Sequence, residues 1–421
     1  MTSPATPQDQ PEASAPIQAE VIAVGSELLL GQIVDTNSAV IARHFAGIGL
    51  NLFYKTTVGD NLGRVTAMLR QALSRSDVIV TTGGIGPTAD DITREAVAAA
   101  TERELVFSDA LMRQIEAFFV SRGFRLSPSN RRQAYIPAGA MPVENPVGTA
   151  PAFIVEHRGK TVVTLPGVPR EMEHLLVRRV IPYLRERYGI KGEIRLRVLK
   201  AVGLGESRIG ELIADFMETG RNPTVGTLAH LGQIDIRIAA KGRDRQGAER
   251  LIAPVEAEIR SRLGDIVFGA DEDTLESEIA RRLGARQARV ALVEVGTSGV
   301  ATERLASAIP DSFAGGLVAS DVAGLAALGL ATAPAGGALE RARGLAEAVA
   351  QRAGVAVGGA TVLEPVPGSS PPLALAALGV AVGGRTEARE HRLGGDAASV
   401  RIRAATLLLD LIRRTVVEAK G

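Results

Sequence analysis

Between residues 19 and 190, short apolar segments alternate with segments of helical spacing. The segments EVIAVG (20–25), NLFYKTTVGD (51–60) and DVIVTTGG (77–84) are each typical of a strand, and LGRVTAMLRQALSRS (62–76) is typical of an amphipathic helix. Strands and helices in this order and at this spacing require crossover connections, which join parallel strands. We therefore predict an α/β domain over residues 19–190, with a largely parallel sheet covered by helices.

The rest of the chain divides into two further blocks. Over residues 191–270 the predicted order of elements is β-α-β-β-α, which is typical of a small α+β domain. Residues 271–421 are dominated by Ala, Gly, Leu, Val and Arg, and they include a strand at RVALVEVG (289–296), so we predict a third domain of the α/β class. Residues 1–18 are rich in Pro, Ala, Ser and Gln and are predicted to form a disordered tail.

Composition excludes several classes of function. Aromatic residues make up 3% of the chain and the formal net charge is +1, which argues against base-stacking platforms and broad electrostatic surfaces for nucleic acid or membranes. The chain has no Cys, which excludes disulfides, thiolate metal sites and a cysteine nucleophile. No run of about 18 apolar residues occurs. We expect a cytoplasmic protein that does not bind DNA or membranes directly.

Three predicted strand ends carry carboxylates and glycines. In a parallel sheet the carboxyl ends of strands lie at one edge, where α/β proteins bind ligands. That edge would bring together Glu27, Asp60, Asp90 and Asp91 with Gly25, Gly83, Gly84 and Gly86. Glycine amides stabilise phosphate oxygens, and carboxylates hold a divalent cation that bridges to the same phosphates. The pattern predicts a metal–diphosphate site, in which the metal would promote hydrolysis. Turn formation by the glycines and helix capping by Asp60, Thr88 or Asp90 remain alternatives.

Five motifs in this region carry a resemblance to a known family. They are VIAVGSELLLGQIVDTNS, TTVGDN, TTGGIGPTADDITREAVA, NPVGTAPAF and LPGVPREM. Together they resemble the N-terminal domain of the CinA family, and residues 192–270 fit its small middle domain. The resemblance implies a three-layer fold similar to molybdopterin-binding domains. It also implies an ADP-ribose pyrophosphatase that uses Mg²⁺, Mn²⁺ or Co²⁺ and releases AMP and ribose 5-phosphate.

The resemblance also implies roles for individual residues. Glu27, Asp60, Asp90 and Asp91 would be catalytic, with Glu27, Asp90 and Asp91 on the metal. The residues expected on the substrate are Gly25, Ser26, Asp35, Asn37, Gly83, Gly84, Gly86, Pro87, Thr88, Asn145, Gly148, Pro166, Gly167, Pro169 and Glu171. Asp35 and Asn37 could either position sugar hydroxyls or hold their loop. The last two loops could also be proline-fixed turns that precede a helix.

The C-terminal block resembles a nicotinamide-nucleotide amidohydrolase domain, which is marked by an ESCTGG loop with a serine nucleophile and by a nearby Tyr and Lys. The loop here is EVGTSG (294–299), with Val295 in place of the serine, and an apolar side chain cannot attack a carbonyl carbon. No lysine lies between Lys241 and Lys420, and no tyrosine follows Tyr188. We predict that this domain has lost deamidase activity on nicotinamide mononucleotide and supports formation of a homodimer.

Two other readings of the sequence stay open. The same glycines and acids could serve a molybdopterin-binding protein. The family name also permits a non-enzymatic adaptor in competence and DNA recombination, which would act through a protein partner such as a recombinase.

Two short basic clusters, NRRQ (130–133) and RRTVVEAK (413–420), are expected to form solvated faces, although Arg131 or Arg132 could reach a phosphate.

Overall fold

The computed structural model describes residues 17–218, 222–330 and 336–416, so most of the predicted disordered tail lies outside the described residues. Contacts divide the chain into two units. The first comprises the residues up to 195 together with 241–249, and the second comprises 196–240 together with those from 250 onward. No helix within the described ranges is long and apolar enough to cross a membrane.

The first unit is built on a six-stranded sheet. Its strands and a separate two-stranded ladder are β1 (Gln18–Val24), β2 (Asn51–Val58), β3 (Val78–Thr82), β4 (Leu105–Phe107), β5 (Tyr135–Pro137), β6 (Met141–Val143), β7 (Ala152–His157) and β8 (Lys160–Leu165). The sheet order is β2-β1-β3-β8-β7-β6, while β4 and β5 pair with each other. Strands β2, β1, β3 and β8 run parallel, as the sequence pattern predicts, and the β7–β6 edge is antiparallel.

Helices cover both faces of this sheet. They are α1 (Ser26–Leu29), α2 (Asn37–Ala46), α3 (Leu62–Arg75), α4 (Thr93–Ala100), α5 (Asp109–Ser121), α6 (Pro169–Leu175) and α7 (Ile181–Tyr188). Successive strand residues point to opposite faces. Val21 therefore belongs to the core formed with α2, α6 and α7, and its neighbour Ile22 belongs to the core formed with α3, α4 and α5. The predicted three-layer α/β architecture is confirmed.

The middle block of the chain forms a four-stranded sheet with two helices. Its elements are β9 (Glu193–Val202), α8 (Glu206–Leu212), β10 (Thr224–His230), β11 (Gln233–Gly242), α9 (Arg245–Leu263) and β12 (Val267–Ala270). The sheet order is β10-β11-β9-β12. The predicted α+β arrangement is present, and β12 adds an edge strand that the sequence pattern does not predict.

The last block is a five-stranded α/β domain, as predicted. Its elements are α10 (Leu275–Ala285), β13 (Val290–Val295), α11 (Val300–Ala308), β14 (Phe313–Ala319), α12 (Val322–Ala327), α13 (Ala338–Ala353), β15 (Val357–Pro365), β16 (Leu373–Val382), β17 (Arg385–Gly394) and α14 (Ala397–Thr415). The sheet order is β14-β13-β15-β16-β17. Helix α13 packs so closely on this sheet that a Cβ at Gly358 or Gly379 would lie within 2.3 Å of a helix carbonyl oxygen. Close packing explains part of the glycine content.

Candidate functional site

A cleft of about 470 Å³ opens at the carboxyl ends of β1, β2, β3 and β8. All the predicted site residues line it except Ser26, Asn145 and Gly148. Those on the wall are Gly25, Glu27, Asp35, Asn37, Asp60, Gly83, Gly84, Gly86, Pro87, Thr88, Asp90, Asp91, Pro166, Gly167, Pro169 and Glu171. Residues that the sequence analysis does not select complete the wall, including Ile33, Val34, Thr82, Gln133 and Thr149.

The cleft carries strongly negative charge. Among its described lining residues are six carboxylates and no Lys, Arg or His; the carboxylates are those of Glu27, Asp35, Asp60, Asp90, Asp91 and Glu171. Carboxylates collected in one cleft repel anions unless a cation is bound between them. An anionic ligand therefore requires an accompanying cation to bind here.

The loop after β3 needs glycine at two consecutive positions. Gly83 and Gly84 have φ angles of +98° and +68°, which favour glycine. A Cβ on Gly83 would lie 2.3 Å from the Val24 carbonyl oxygen, and one on Gly84 would lie 2.2 Å from Oγ1 of Thr93. Thr93 Oγ1 donates to the Gly83 carbonyl oxygen at 2.9 Å. The loop backbone is thus pressed against the end of β1 and the start of α4.

Asp91 folds this loop onto itself. Its Oδ1 accepts from the amide of Gly86 at 2.7 Å, and its Oδ2 accepts from the amide and the hydroxyl of Thr88 at 2.9 and 2.5 Å. Both carboxylate oxygens are therefore engaged by the loop itself. This arrangement favours a structural role for Asp91 over the metal-binding and catalytic roles implied by the resemblance.

Two arginines donate to backbone carbonyl oxygens of the same loop, and no sequence pattern predicts this role for the first of them. Arg94 is 2% exposed and donates to the carbonyl oxygens of Ile85 at 2.5 Å and Gly86 at 2.6 Å. Its burial lowers its pKa to about 10. Arg132 donates to the Thr88 carbonyl oxygen at 2.6 Å. Arg94 lies within the motif TTGGIGPTADDITREAVA, but its sequence position alone does not show which carbonyl oxygens it reaches.

Within the basic cluster at 130–133, the exposed Arg131 fits the expected solvated face, whereas Arg132 is half-buried. Arg132 is committed to the loop backbone and also pairs with Glu95, at 3.0 Å. The Arg131 guanidinium lies 4.2 Å from the centre of the Phe107 ring. Neither arginine lines the cleft, and the guanidinium of Arg132 binds the backbone of the loop.

Replacing Arg94 by Met is expected to lower the free energy of unfolding by about 1–3 kcal/mol, because buried carbonyl oxygens lose their charged donor. Urea denaturation of the full chain, followed by circular dichroism, measures the change. Arg113→Met, at an exposed position of α5, is the matched control and should unfold like the wild type. An unchanged midpoint for Arg94→Met would show that this arginine does not hold the loop.

Ser26 and Asp60 connect the loops that follow β1 and β2. The Ser26 amide donates to Asp60 Oδ2 at 2.8 Å, and the Asp60 amide donates to Ser26 Oγ at 3.1 Å. Asp60 Oδ1 has no hydrogen-bond partner among the described residues. The Glu27 carboxylate folds back against Gly25, where a Cβ would lie 2.4 Å from Oε1. Glu27 and one oxygen of Asp60 are thus left to face a ligand.

Asp35 and Asn37 both hold their loops, and Asn37 also has an unused acceptor. Asp35 Oδ1 accepts from the Ser38 amide at 2.9 Å. Asn37 Nδ2 donates to Thr82 Oγ1 at 3.0 Å and to the Gly167 carbonyl oxygen at 2.8 Å. Asn37 Oδ1 is buried and has no partner in the described chain. A ligand hydroxyl or amino group could donate to this oxygen.

The Glu171 carboxylate is fixed by a hydrogen bond and by close packing against a glycine. Asn145 Nδ2 donates to its Oε2 at 2.6 Å. A Cβ on Gly148 would lie 1.9 Å from the Glu171 carboxyl carbon, so only glycine leaves room there. Partial burial raises the pKa of Glu171, an effect that the hydrogen bond from Asn145 partly offsets.

Asn145 is itself fully buried and fixed by the backbone around it. Its Nδ2 also donates to the Ala150 carbonyl oxygen at 2.9 Å, its Oδ1 accepts from the Val147 amide at 3.2 Å, and Gln114 bonds to both its carbonyl oxygen and its amide nitrogen. A side chain held in this way positions Glu171 with little freedom. The resemblance implies that both residues contact the substrate, and no sequence pattern reveals the contact between them.

Asp90 lies in a contrasting environment. It is exposed at the rim of the loop, and the Thr88 side chain, followed by its own backbone amide, lowers its pKa below the usual aspartate value. Asp90 is therefore ionised at neutral pH. Two cleft carboxylates whose environments shift their pKa values in opposite directions are suited to different chemical roles.

The arrangement of the carboxylates decides which metal sites they can form. Within the described ranges, no group of three or more His, Cys, Asp or Glu side chains is arranged to hold a metal ion, so Glu27, Asp90 and Asp91 do not form the predicted three-ligand set. Mg²⁺ is often bound by only one or two carboxylates together with substrate phosphates. The donors present fit a cation that binds together with its substrate.

The C-terminal EVGTSG loop forms a structural cap. The buried Glu294 accepts from Thr297 Oγ1 at 2.5 Å and from the Thr302 amide at 2.6 Å, at the start of α11. Val295 is 2% exposed at the end of β13, and Ser298 has a φ angle of +58°. The carboxylate of Glu294 thus occupies the amino end of the helix, and the side chain at position 295 is buried.

Comparisons with known proteins agree on the architecture. A family model described as "Probable molybdopterin binding domain" matches residues 20–186, and one described as "Damage-inducible protein CinA KH domain" matches residues 196–269. A Moorella thermoacetica protein, whose name places it among competence-damage inducible proteins, is 38% identical over 414 residues, covering 95% of this chain and 99% of the relative. A "CinA-like protein" of Kosmotoga olearia is 35% identical over 410 residues, covering 95% of this chain and 99% of the relative.

Two similar solved structures each match less than half of the chain. The Thermoplasma acidophilum CinA structure is 37% identical, covers 41% of this chain and 98% of its own, and superposes with a TM-score of 0.37. The molybdopterin biosynthesis enzyme MoaB of Thermus thermophilus is 19% identical, covers 41% of this chain and 97% of its own, and has a TM-score of 0.29.

Proposed function

Since this chain belongs to the CinA family, we propose that its first unit hydrolyses ADP-ribose, or a related nucleoside diphosphate, to AMP and ribose 5-phosphate with the help of a divalent cation. Water attacks one phosphorus atom, the P–O bond to the bridging oxygen breaks, and the other phosphate leaves with that oxygen. The proton released by the water passes to a base in the cleft.

The observation that carries this proposal is the combination of a glycine loop with six carboxylates in one cleft. The amides of Gly84 and Ile85 have no acceptor among the described residues, and the buried Arg94 lies directly behind them. Amides in such a loop bind phosphate oxygens. A diphosphate accompanied by a cation satisfies the amides and the carboxylates together, whereas a bare phosphate would be repelled.

The cation would be held by Asp90 and Glu27, with the free oxygen of Asp60 within the same cleft. When bound, it polarises the phosphoryl oxygens and neutralises the charge that develops on them. Asp90 suits this role because its carboxylate is exposed at the rim of the cleft. Asp91 is left out of the metal set because its two oxygens organise the loop.

Glu171 is proposed as the general base that accepts the proton of the attacking water. Partial burial raises the pKa of the Glu171 carboxyl toward neutral pH, and a pKa nearer the working pH makes a general base more efficient. Asn145 and Gly148 act as positioning residues, because the first holds the carboxylate and the second leaves space for it. Neither residue needs to touch the substrate.

One wall of the cleft is suited to the organic part of the ligand. Ile33 and Val34 line the cleft, and their side chains are otherwise largely exposed to solvent. Apolar side chains beside polar groups are typical of a nucleobase site. Asn37 Oδ1, the buried acceptor without a partner, would accept a hydrogen bond from a sugar hydroxyl or a base amino group.

A substrate panel tests the proposal. Purified full-length protein is incubated with ADP-ribose or, in a separate reaction, with ADP, each in the presence of Mg²⁺, Mn²⁺ or Co²⁺. The nucleotide products are then separated by chromatography. AMP is expected from ADP-ribose. No AMP from ADP-ribose with any of the three cations would contradict the proposed function.

A second candidate is binding of a molybdopterin-type pterin phosphate, and the description of the matching family model favours it. The same amides and cation would serve one phosphate, and Ile33 and Val34 would contact the pterin. Equilibrium dialysis with molybdopterin separates the candidates: tight pterin binding together with no AMP formation would replace the first proposal. The adaptor role in recombination has no observation in its favour beyond the names of the relatives.

We further propose that the C-terminal domain has lost amidohydrolase activity. The wild-type chain is expected to release no ammonia from nicotinamide mononucleotide above the buffer rate, in an assay coupled to glutamate dehydrogenase. Val295→Ser is expected to stay inactive as well, because no lysine lies between Lys241 and Lys420 to activate the hydroxyl. Ammonia release by the wild type would contradict this proposal.

A further inference from the structure

A second cavity of about 230 Å³ lies in the second unit, between the middle and C-terminal domains. Its walls come from the loop after β9, the turn Gly264–Ile266, strands β16 and β17, and helix α14. Its charged and titratable lining consists of Arg389, His391, Asp410 and Arg414, and most of the other side chains are aliphatic. The cavity therefore brings two arginines and a histidine together with aliphatic side chains in a small space.

The basic groups in this cavity have donors that the protein does not use. Arg414 Nε donates to Asp410 Oδ2 at 2.8 Å, but no described residue accepts a hydrogen bond from its two terminal nitrogens. Arg414 Nη2 lies 3.3 Å from the position of a Cβ on Gly203, so glycine leaves space around it. The ring nitrogens of His391 also have no hydrogen-bond partner within the described ranges. Guanidinium nitrogens without an acceptor are positioned to bind a ligand oxygen.

Carboxylates do not balance these cations. Asp410 is buried, and its Oδ1 accepts from Arg413 Nη2 at 2.6 Å while its Oδ2 accepts from Arg414. Arg389 Nη2 donates to Glu387 Oε1 at 2.5 Å. Three arginines thus face two carboxylates, which leaves one positive charge in excess.

The prediction of a solvated face for this part of the 413–420 cluster was wrong, because Arg413 is 2% exposed and pairs with Asp410.

We propose that this cavity binds a small oxyanion of the phosphate class, held by the terminal nitrogens of Arg414 with Arg389 and His391 beside it. Guanidinium groups bind phosphate oxygens through paired hydrogen bonds. Because both domains of the second unit line the cavity, the bound anion links the loop after β9 to helix α14. This site is separate from the cleft of the first unit and does not depend on the reaction proposed there.

His391 provides a direct probe of the site. Burial and then Arg389 lower its pKa, while Asp410 raises it, and the other charged group on the lining is Arg414. A bound phosphate dianion stabilises the imidazolium and should raise the pKa of His391. Full-length protein with ¹³C-labelled histidine is titrated with inorganic phosphate, and the ring signals are followed by NMR across pH. The His391→Gln spectrum assigns the signal.

Phosphate is expected to shift the His391 signal and raise its pKa, and Arg414→Met should raise the half-saturating concentration at least about 10-fold, the effect of losing a charge-assisted contact. Arg401→Met, on the same helix but outside this cavity, is the matched control and should respond like the wild type. Arg389→Met provides a second test if Arg414→Met fails to fold. An unmoved His391 signal, an unchanged response in both cavity variants, or the same shift with chloride at equal ionic strength would overturn the proposal.

Discussion

Glu171→Gln is expected to lower kcat for ADP-ribose by about 10²–10⁴-fold, which is the usual contribution of a general base. Glutamine preserves the shape of the side chain and can still bond to Asn145, but it cannot accept the proton of the attacking water. The Kd for ADP-ribose should change little, because the proposed role of the carboxylate lies in the chemical step. Steady-state kinetics together with equilibrium binding separate the two effects.

The matched control for this variant is Glu173→Gln. Glu173 lies two residues further along α6, is about half exposed and pairs with His44 outside the cleft. Its removal should leave kcat within about 2-fold of the wild type, as is usual for an isolated surface pair. A Glu171→Gln enzyme with wild-type kcat would show that another group accepts the proton.

The pH dependence provides a further readout of the same residue. The base must be ionised, so kcat/KM should fall as the pH drops through the raised pKa of Glu171. The hydrogen bond from Asn145 lowers that pKa, so its loss in Asn145→Ala should move the acid limb of the profile to higher pH. If Asn145 had only a structural role, Asn145→Ala would reduce the amount of folded protein without moving the pH profile of kcat/KM.

Asp90→Asn is expected to raise the cation concentration needed for half-maximal activity by at least about 10- to 100-fold, because even outer-shell partners of a metal contribute that much. Asparagine keeps the shape of the side chain but removes the negative charge from the proposed ligand. Activity measured against the concentration of Mg²⁺ or Mn²⁺, at saturating ADP-ribose, gives the shift.

Asp109→Asn serves as the control for this substitution, because Asp109 is exposed at the start of α5 and does not line the cleft. It should retain the cation dependence of the wild type. Equal cation dependence in Asp90→Asn and the wild type would remove Asp90 from the metal site and leave Glu27 and Asp60 as the remaining candidates.

The position of the cleft could be predicted from the sequence because it follows from periodicity. Apolar segments separated by helical spacing dictate parallel strands, and parallel strands place their carboxyl ends at one edge. Asp60 ends one such segment, Glu27 and Asp90 follow two others by a few residues, and all three line the cleft. Local pattern and tertiary arrangement agree for these residues.

The roles of the residues were harder to predict, because they depend on contacts between distant parts of the chain. Glu171 and Asn145 lie 26 positions apart, and the amide of Asn37 reaches the carbonyl oxygen of Gly167 across 130 positions. No spacing rule links such pairs. The buried Arg94 illustrates the same difficulty, since an arginine in a helical segment is ordinarily expected at the surface.

Asp91 and Arg413 show how local rules can mislead. Two adjacent aspartates suggest a shared ligand, yet Asp91 faces the amides of its own loop, while the exposed Asp90 lies at the rim. A basic pair near the end of a helix suggests a solvated face, yet Arg413 is paired and buried against Asp410. Polar side chains that are hydrogen-bonded within the fold are not available to bind a ligand or to face solvent, as their sequence positions suggest.

The proposal that the first unit is a metal-dependent diphosphate hydrolase is tested most directly by measuring both products of ADP-ribose together. Full-length protein is freed of metal with EDTA, and AMP and ribose 5-phosphate are quantified with and without added Mg²⁺, Mn²⁺ or Co²⁺. We predict equal amounts of the two products when a cation is added, and neither product in EDTA. Equal rates with and without cation, or no AMP under any condition, would contradict a metal-dependent hydrolase in this cleft.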